Sequence, residues 1–203
     1  ELIRLNHKFI SETDTEVILA SIEQWGLRYS LEKFEGMFAF ALWNEREKTL
    51  TLIKDRFGEK PLYYGWQENF FLFSSEIKSM KKHPAWQGCI DLNSLGLFFK
   101  YSYVPTPNTI FNKIKKLSSG SFIEVSFKND KWHTSNEVKW WKPKIKKNDK
   151  IDYFHAKNTV ENMLIDIIDK QKEADVSVGT FLSGGIDSSL ITALMQLNSN
   201  KSI

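Results

Sequence analysis

Four short apolar runs, arranged as two pairs, constrain the fold more than any other feature of this 203-residue sequence. Residues 37–43 and 49–53 flank one polar turn, and residues 62–66 and 70–73 flank another. Short runs of aromatic and β-branched residues around a polar turn are typical of β-hairpins. Because the runs are apolar on both faces, we expect antiparallel sheets that lie between other layers.

Helices are predicted on both sides of the two hairpins. One helix should begin at Thr13 or Asp14, either of which can cap it, and end at Gly26, because apolar residues recur between them at helical spacing. The other elements expected in this part of the chain are helices over residues 75–82 and 91–100, and a third hairpin over residues 121–127 and 132–138 that turns at residues 128–131.

The composition changes at residues 144–150, which are basic and contain one apolar residue. Such a segment is typical of an inter-domain linker, so we predict domains over residues 1–143 and 151–203. A nucleic-acid-binding arm is the alternative, but no aromatic residues are interleaved with these charges. In the second domain we expect a helix around residues 160–168, a strand over residues 176–182, a loop over residues 183–187 and a helix over residues 188–196.

Charge and cysteine content exclude several classes of protein. The net charge of +3 is small for a strongly electrostatic nucleic-acid binder, and no apolar run approaches the roughly 18 residues of a membrane span. Cys89 is the only cysteine, which excludes a disulfide scaffold and favours a reducing, cytoplasmic compartment. The four histidines are too scattered to predict a metal site. We therefore expect neither nucleic acid nor a membrane as partner.

The segment with the clearest chemistry reads Ser-Gly-Gly-Ile-Asp-Ser-Ser over residues 183–189. Glycines let the main chain approach an anion, and the first N–H groups of a helix bind phosphate. The serines add hydroxyl donors, whereas Asp187 would repel phosphate unless a cation such as Mg²⁺ lay between them. There is no Gly-Lys-Ser/Thr sequence of a Walker loop. An ordinary glycine turn with a capping serine is the alternative, but the predicted strand and helix around it favour nucleotide phosphate binding.

Several motifs together resemble one known family. Residues 183–189 resemble the pyrophosphate-binding loop (PP-loop) of the ATP pyrophosphatases, which cleave ATP between the α- and β-phosphates to adenylate a substrate. Further segments resemble the glutaminase domain of the glutamine-hydrolysing asparagine synthetases, in the same order along the chain: residues 34–43, 55–64, 73–78, 103–111 and 116–120.

The resemblance implies a fold and a reaction. It implies an incomplete αββα antiparallel sandwich of the Ntn-hydrolase type over residues 1–143, a glutamine amidotransferase type 2 domain, and the start of an α/β parallel-sheet nucleotide-binding domain over residues 151–203. It implies that ammonia from glutamine amidates aspartate through a β-aspartyl-AMP intermediate, giving asparagine, glutamate, AMP and pyrophosphate. ATP and Mg²⁺ would be the cofactors, and a homodimer is possible. Relatives that amidate another carboxylate, or a catalytically silent binding module, are the alternatives.

The resemblance also assigns roles to residues. The family's nucleophile is the cysteine at the mature N-terminus, which this chain does not contain, and Cys89 lies in a connecting loop, so we expect no catalytic residue here and an internal fragment without turnover. Asp14 would hold the α-amino group of glutamine, although a helix N-cap is an equal alternative. Asp187 would hold Mg²⁺. The positions that match the ATP site are Leu182, Ser183, Gly184, Gly185, Asp187, Ser188 and Ser189.

Overall fold

The computed structural model describes residues 1–128, 130–147, 151–172, 174 and 176–199. The chain divides into two compact units, Glu1–Pro143 and Lys144–Ile203. Residues 148–150 of the expected linker, Asn129 of the expected third turn, and residues 173, 175 and 200–203 lie outside the described residues. Among the helices of the described residues, none has the length and apolar character needed to cross a membrane.

The first unit is a mixed α+β structure with two antiparallel sheets. The larger sheet has the strand order β1-β2-β6-β7, with β8 also paired to β6, and the smaller one has the order β4-β3-β5. A short 3-10 helix over Leu2–Leu5 precedes the other elements, which are α1 (Asp14–Trp25), α2 (Leu27–Lys33), β1 (Ala39–Asn44), β2 (Thr49–Lys54), β3 (Tyr63–Gln67), β4 (Phe70–Ser74), α3 (Ile77–Met80), α4 (Leu92–Tyr101), β5 (Ile114–Lys116), β6 (Ser121–Lys128), β7 (Lys131–Thr134) and β8 (Val138–Lys139).

The two predicted apolar hairpins are confirmed, as β1–β2 and β3–β4. A core cluster that includes Leu52 of β2 and Tyr64 of β3 lies between the sheets. On the other face of the larger sheet, Leu31 of α2 packs with Ile53 and Trp140. The order of layers is therefore helix, sheet, sheet, and α3 contacts β4 of the second sheet. β2 is therefore covered on both faces, and three successive residues, Thr51, Leu52 and Ile53, are buried.

Four local expectations need correction. β1 and β4 are edge strands with exposed positions, so they are not covered on both faces. The helix expected over residues 75–82 is α3 alone, because the amides of Lys82 and His83 bond to carbonyls three residues back and the chain continues as turns after Met80. Thr13, in extended conformation, is the N-cap residue of α1, so Asp14 is the first residue inside the helix. The second arm of the third hairpin is divided into β7 and β8.

The second unit contains two helices, α5 (Tyr153–Gln171) and α6 (Ile186–Leu197). They pack through Ile168, Leu194 and Met195. The strand expected over residues 176–182 is wrong. The segment has no strand conformation, because a parallel strand forms only beside a partner strand and the described part of this unit has none. The start of a parallel sheet is therefore not formed by the residues of this unit that the structure describes.

Candidate functional site

The predicted phosphate loop leads directly into the N-terminus of α6. Gly184 has a φ of +83°, in the left-handed region that residues with a side chain rarely adopt, and there the chain turns. Gly185 is extended, with φ −77° and ψ 160°, and is the N-cap residue of the helix. The Ser189 amide donates to the Gly185 carbonyl over 3.1 Å. The preceding N–H groups, at residues 186–188, have no acceptor within the helix.

The N-terminus of α6 differs from those of α4 and α5. At α4 the side chain of Asp91 accepts a hydrogen bond from the Asn93 amide. At α5 the side chain of Asp152 accepts from two amides of the first turn. No side chain caps α6, because its N-cap residue is a glycine. The first N–H groups of α6 are thus available to an external anion, which the helix dipole also favours.

Hydroxyl groups connect the loop to its helix. The Oγ atoms of Ser183 and Ser188 lie 3.0 Å apart, and the Ser188 hydroxyl also donates to the Gly185 carbonyl over 3.1 Å. Behind them, the Thr180 and Thr192 hydroxyls are 2.9 Å apart, and Thr192 donates to the Ser188 carbonyl over 2.8 Å. The segment that precedes the loop is therefore held against α6 on the side where the serine hydroxyls lie.

The space around the two glycines is open. A Cβ atom at Gly184 would have no neighbour within 4 Å, and one at Gly185 would meet only the Ser183 and Ser188 hydroxyls at 3.7 and 3.9 Å. The side chain of Leu182 is 63% exposed. A ligand could therefore reach the main-chain amides and the apolar side chain before them without displacing protein atoms.

The structure moves Asp187 from the expected loop into the helix. α6 begins at Ile186, two residues earlier than predicted, because Gly185 already has N-cap geometry, and Asp187 is therefore an acidic residue of the first turn. A carboxylate at this position interacts favourably with the helix dipole without any ligand. No group of three or more His, Cys, Asp or Glu side chains that could hold a metal occurs in the part of the chain that the structure describes. The single carboxylate therefore fits only an ion whose other ligands are phosphate oxygens and water.

Asp14, the predicted glutamine-site residue, is exposed at the start of α1 in the first unit. The segment before it is held by Glu16, whose carboxylate accepts from the amides of Ile10 and Ser11 over 3.0 and 2.8 Å. The Ser11 hydroxyl also donates to Glu16 over 2.6 Å. This hydroxyl bond, and then the two amide bonds, hold the pKa of Glu16 below its ordinary value of 4.5. Glu16 thus orders the chain beside Asp14, a role that the sequence analysis did not assign.

Asp55 is the most important polar residue that sequence reasoning missed. Its side chain is fully buried and accepts five main-chain N–H groups. One carboxylate oxygen accepts from Phe57, Gly58 and Glu59 at 3.1, 2.6 and 3.0 Å. The signal in the sequence was an aspartate three residues before a glycine at the end of a strand, a pattern typical of turns.

Arg56 joins the loop after β2 to the helical layer. Its guanidinium donates to the carbonyls of Phe34 and Glu32 over 2.5 and 2.8 Å, at the C-terminus of α2. These carbonyls have no partner within the helix, so Arg56 acts as a C-terminal cap.

By contrast, Glu76 and Lys78 form an exposed ion pair of 2.5 Å, which contributes little to stability.

Two lysines at strand ends are partly desolvated. Burial lowers the pKa of Lys54 and of Lys116. The Lys116 ammonium donates to the Val104 carbonyl over 2.5 Å, which connects β5 to the connector that follows α4.

Cys89, the free thiol, is exposed, and its Sγ atom lies 4.0 Å from the Gln87 carbonyl oxygen.

Comparison with known families divides the chain in the same order as its units. Residues 1–141 match the family model described as a glutamine amidotransferase domain. Residues 159–203 match the model described as asparagine synthase. The second match includes the whole of the loop at residues 183–189.

The chain is also similar to individual proteins. The glutamine-hydrolysing asparagine synthetase 3 of Bacillus subtilis is 36% identical over 96% of this chain and 31% of its own length. The amidase chry2 of Gibberella zeae is 30% identical over 93% of this chain and 27% of its own. A solved glutamine phosphoribosylpyrophosphate amidotransferase from B. subtilis is 13% identical, with a TM-score of 0.47 over 96% of this chain and 40% of that protein. The chain thus spans about a third or less of the length of these two curated relatives.

Proposed function

The chain belongs to the glutamine amidotransferase domain family through residues 1–141, and from this premise we propose that the whole protein is an ATP-dependent carbon–nitrogen ligase that takes its nitrogen from glutamine. The observation that carries the proposal is the order of the two family matches along one chain. A domain that releases ammonia is followed by a segment that carries a glycine-capped helix suited to phosphate. We propose domains over residues 1–143 and 151–203, joined by residues 144–150.

We further propose that aspartate is the acceptor. ATP would adenylate its side-chain carboxylate with release of pyrophosphate, and ammonia would then displace AMP to give asparagine. The asparagine synthase match over residues 159–203 and the 36% identical B. subtilis relative support this acceptor. In the first domain, Asp14 would bind the α-amino group of glutamine.

The residues of the loop have distinct roles in this proposal. The N–H groups at the start of α6 would bind the pyrophosphate portion of ATP, and the hydroxyls of Ser183, Ser188 and Ser189 would donate to its oxygens. Gly184 and Gly185 keep the approach open, and Leu182 would contact the nucleotide. Asp187 would hold Mg²⁺, which supplies positive charge to the phosphates when bound.

Pyrophosphate release by the whole protein tests this proposal. Release should require both ATP and aspartate, and glutamine or ammonia should be needed for asparagine to form. Asp187→Asn should lower the rate by about tenfold or more, since one removed electrostatic contact to a reacting phosphate has effects of this size. Asp152→Asn is the matched control. Aspartate and asparagine can both cap α5, so this variant should not change the rate. Aspartate-independent release, or equal rates for the two variants, would contradict the proposal.

A second candidate differs only in the acceptor. A relative that is 30% identical is named an amidase and not an asparagine synthetase, which supports a related enzyme with another acceptor carboxylate as the second candidate. A panel of carboxylic acids in the same assay separates the two, because pyrophosphate release should follow the true acceptor.

A further inference from the structure

A cleft between the two sheets of the first unit has no role in the proposed reaction. Its volume is about 520 Å³, within the range of small-molecule sites. Its walls come from β3, from β4, from the chain around β5, and from residues 134–137 between β7 and β8. Neither Asp14 nor the phosphate loop contributes to it.

The floor of the cleft is a rigid aromatic surface. Tyr64 and Trp66 are two residues apart on β3, so their side chains lie on one face of the sheet, and Phe71 pairs with Trp66 across the strands. The Trp66 and Phe71 rings are edge-to-face, with centroids 5.2 Å apart. The Trp66 indole N–H donates to the Thr134 hydroxyl over 3.0 Å, which fixes the ring between the sheets.

Two lysines extend this aromatic face. Lys115 pairs directly with Tyr64 in the β3–β5 ladder, so the two side chains share one face of the sheet. Lys113, two residues earlier, has a φ of +62°. Its carbonyl oxygen would be 1.8 Å from a Cβ atom at Gly65, so only glycine lets this segment approach β3 so closely. Because Gly65 has no side chain, the segment around β5 lies close to β3, and this close approach determines the main-chain positions of Lys113 and Lys115.

A carboxylate completes the cleft. Glu137 lines it from the connection before β8, and its only hydrogen bond among the described residues is a long one of 3.3 Å from the Ser118 amide. Burial raises the pKa of Tyr64, and the nearby Glu137 carboxylate raises it further. In the described part of the chain, no ion pair joins Lys113, Lys115 or Glu137 to any other side chain. Lys54 is close enough to Glu137 for the two charges to interact, although no ion pair forms between them. The cleft thus presents both signs of charge around an apolar floor.

We propose that this cleft binds a free α-amino acid. The ligand's carboxylate pairs with the two lysines, its ammonium group pairs with Glu137, and its apolar side chain packs on the aromatic floor. A site that needs both charges discriminates against molecules that carry only one of them. This site is separate from the glutamine and nucleotide sites proposed above and stands if either of those fails.

Calorimetric titration of the full chain tests the proposal with three related probes. L-Phenylalanine carries both charges, N-acetyl-L-phenylalanine lacks the ammonium group, and L-phenylalaninamide lacks the carboxylate. We expect saturable binding of L-phenylalanine and binding of each derivative weaker by about twofold to fivefold, the size expected for one partly exposed charge contact. Equal binding of all three probes, binding of inorganic phosphate as tight as that of the amino acid, or no saturation in the millimolar range would overturn it.

Variants assign the two charges to their residues. Glu137→Gln should weaken the binding of L-phenylalanine by a similar factor. It should leave the binding of the N-acetyl derivative unchanged, because that probe has no ammonium group to contact Glu137. Lys113→Ala combined with Lys115→Ala should weaken the binding of L-phenylalanine but not that of L-phenylalaninamide, which has no carboxylate. Lys131→Ala, on the β6–β7 hairpin and outside the cleft, is the matched control and should have no effect. If Glu137→Gln weakens all three probes equally, the ammonium contact is wrong.

Discussion

Replacing Asp55 by asparagine is the sharpest test of what holds the first unit together. The two carboxylate oxygens divide five main-chain donors between them. One oxygen accepts from three successive amides, and the other accepts from Phe38 and Lys60 at 3.3 and 3.0 Å. The main chain of Asp55 adds further bonds, because its carbonyl accepts from Gly120 over 2.6 Å and its amide donates to Phe38 over 2.9 Å. The residue thus connects the segment before β1, the loop after β2 and the start of β6.

The expected loss of stability follows from counting donors. Asparagine is nearly isosteric and keeps one oxygen, so the three successive amides retain their acceptor. Its amide nitrogen would instead face the amides of Phe38 and Lys60, and two partly buried donors would lose their acceptor. A fully buried donor without an acceptor costs about 1–3 kcal/mol, so two partly buried donors should together cost about 2–4 kcal/mol in the free energy of unfolding. A loss of that size is a large fraction of the stability of an ordinary domain.

Equilibrium urea unfolding of the full chain, followed by the fluorescence of its 7 tryptophans, measures this loss. Asp91→Asn is the matched control in the same unit. Its side-chain oxygens accept from the Asn93 amide and the Ser94 hydroxyl, both at 3.0 Å, and asparagine can satisfy both because the hydroxyl can also accept. That variant should lose less than about 0.5 kcal/mol. Equal losses for the two variants would refute the reasoning.

Three further predictions concern the first unit. Gly65→Ala should destabilise it by about 3 kcal/mol or more in the same unfolding assay, because the new Cβ would lie 1.8 Å from the Lys113 carbonyl oxygen; Gly96→Ala, in α4 with open space around it, should be neutral or stabilising. Arg56→Lys should cost about 1 kcal/mol, because an ammonium cannot reproduce the fork that caps α2, and amide hydrogen exchange in the last turn of α2 should accelerate. The lowered pKa of Glu16 means that its contacts stabilise the chain before α1 above pH 4.5 and are lost as the pH falls through the lower folded value. The Ile10 and Ser11 amide shifts should report that titration by NMR, and Ser11→Ala should move its midpoint upward.

Local patterns explain why the prediction of the two hairpins was right and the prediction of a strand over residues 176–182 was wrong. Residues 37–53 carry their apolar runs and their turn within one short segment, so the pairing of β1 with β2 needs no information from elsewhere. Residues 176–182 have a similar apolar character, but a parallel strand depends on neighbours that are distant in sequence. The error lay in treating apolar character as sufficient for strand formation.

The candidate sites differ in the same way in how far the sequence could predict them. Residues 183–189 were identifiable because a phosphate loop consists of consecutive residues. For Asp55, the local turn was indicated by the glycine three residues later, but the bond from the Phe38 amide, 17 residues away in the chain, was not. The cleft between the sheets was equally unpredictable, since Lys115 lies in one sheet and Glu137 beside a strand of the other, and they line one cleft only because the two sheets pack together.

The conformation of Gly185 permits a last prediction, in which stability and function change in opposite directions. Its φ and ψ of −77° and 160° nearly equal the −75° and 162° of Asp152, which caps α5 through its own carboxylate. A Cβ atom at Gly185 would meet no atom closer than 3.7 Å, so Gly185→Asp should cap α6 in the same manner. The helix should gain a few tenths of a kcal/mol up to about 1 kcal/mol from the cap and the dipole.

The same carboxylate would occupy the N–H groups that we assign to pyrophosphate and would repel its charge. ATP-dependent pyrophosphate release by the whole protein should therefore fall by at least about a hundredfold, while hydrogen exchange at the start of α6 becomes slower. Gly185→Ser separates the two causes, because a neutral cap stabilises the helix without repelling an anion, and it should retain more activity than the aspartate variant. If Gly185→Asp slows exchange but leaves pyrophosphate release unchanged, the glycine serves only the turn, and the phosphates bind elsewhere.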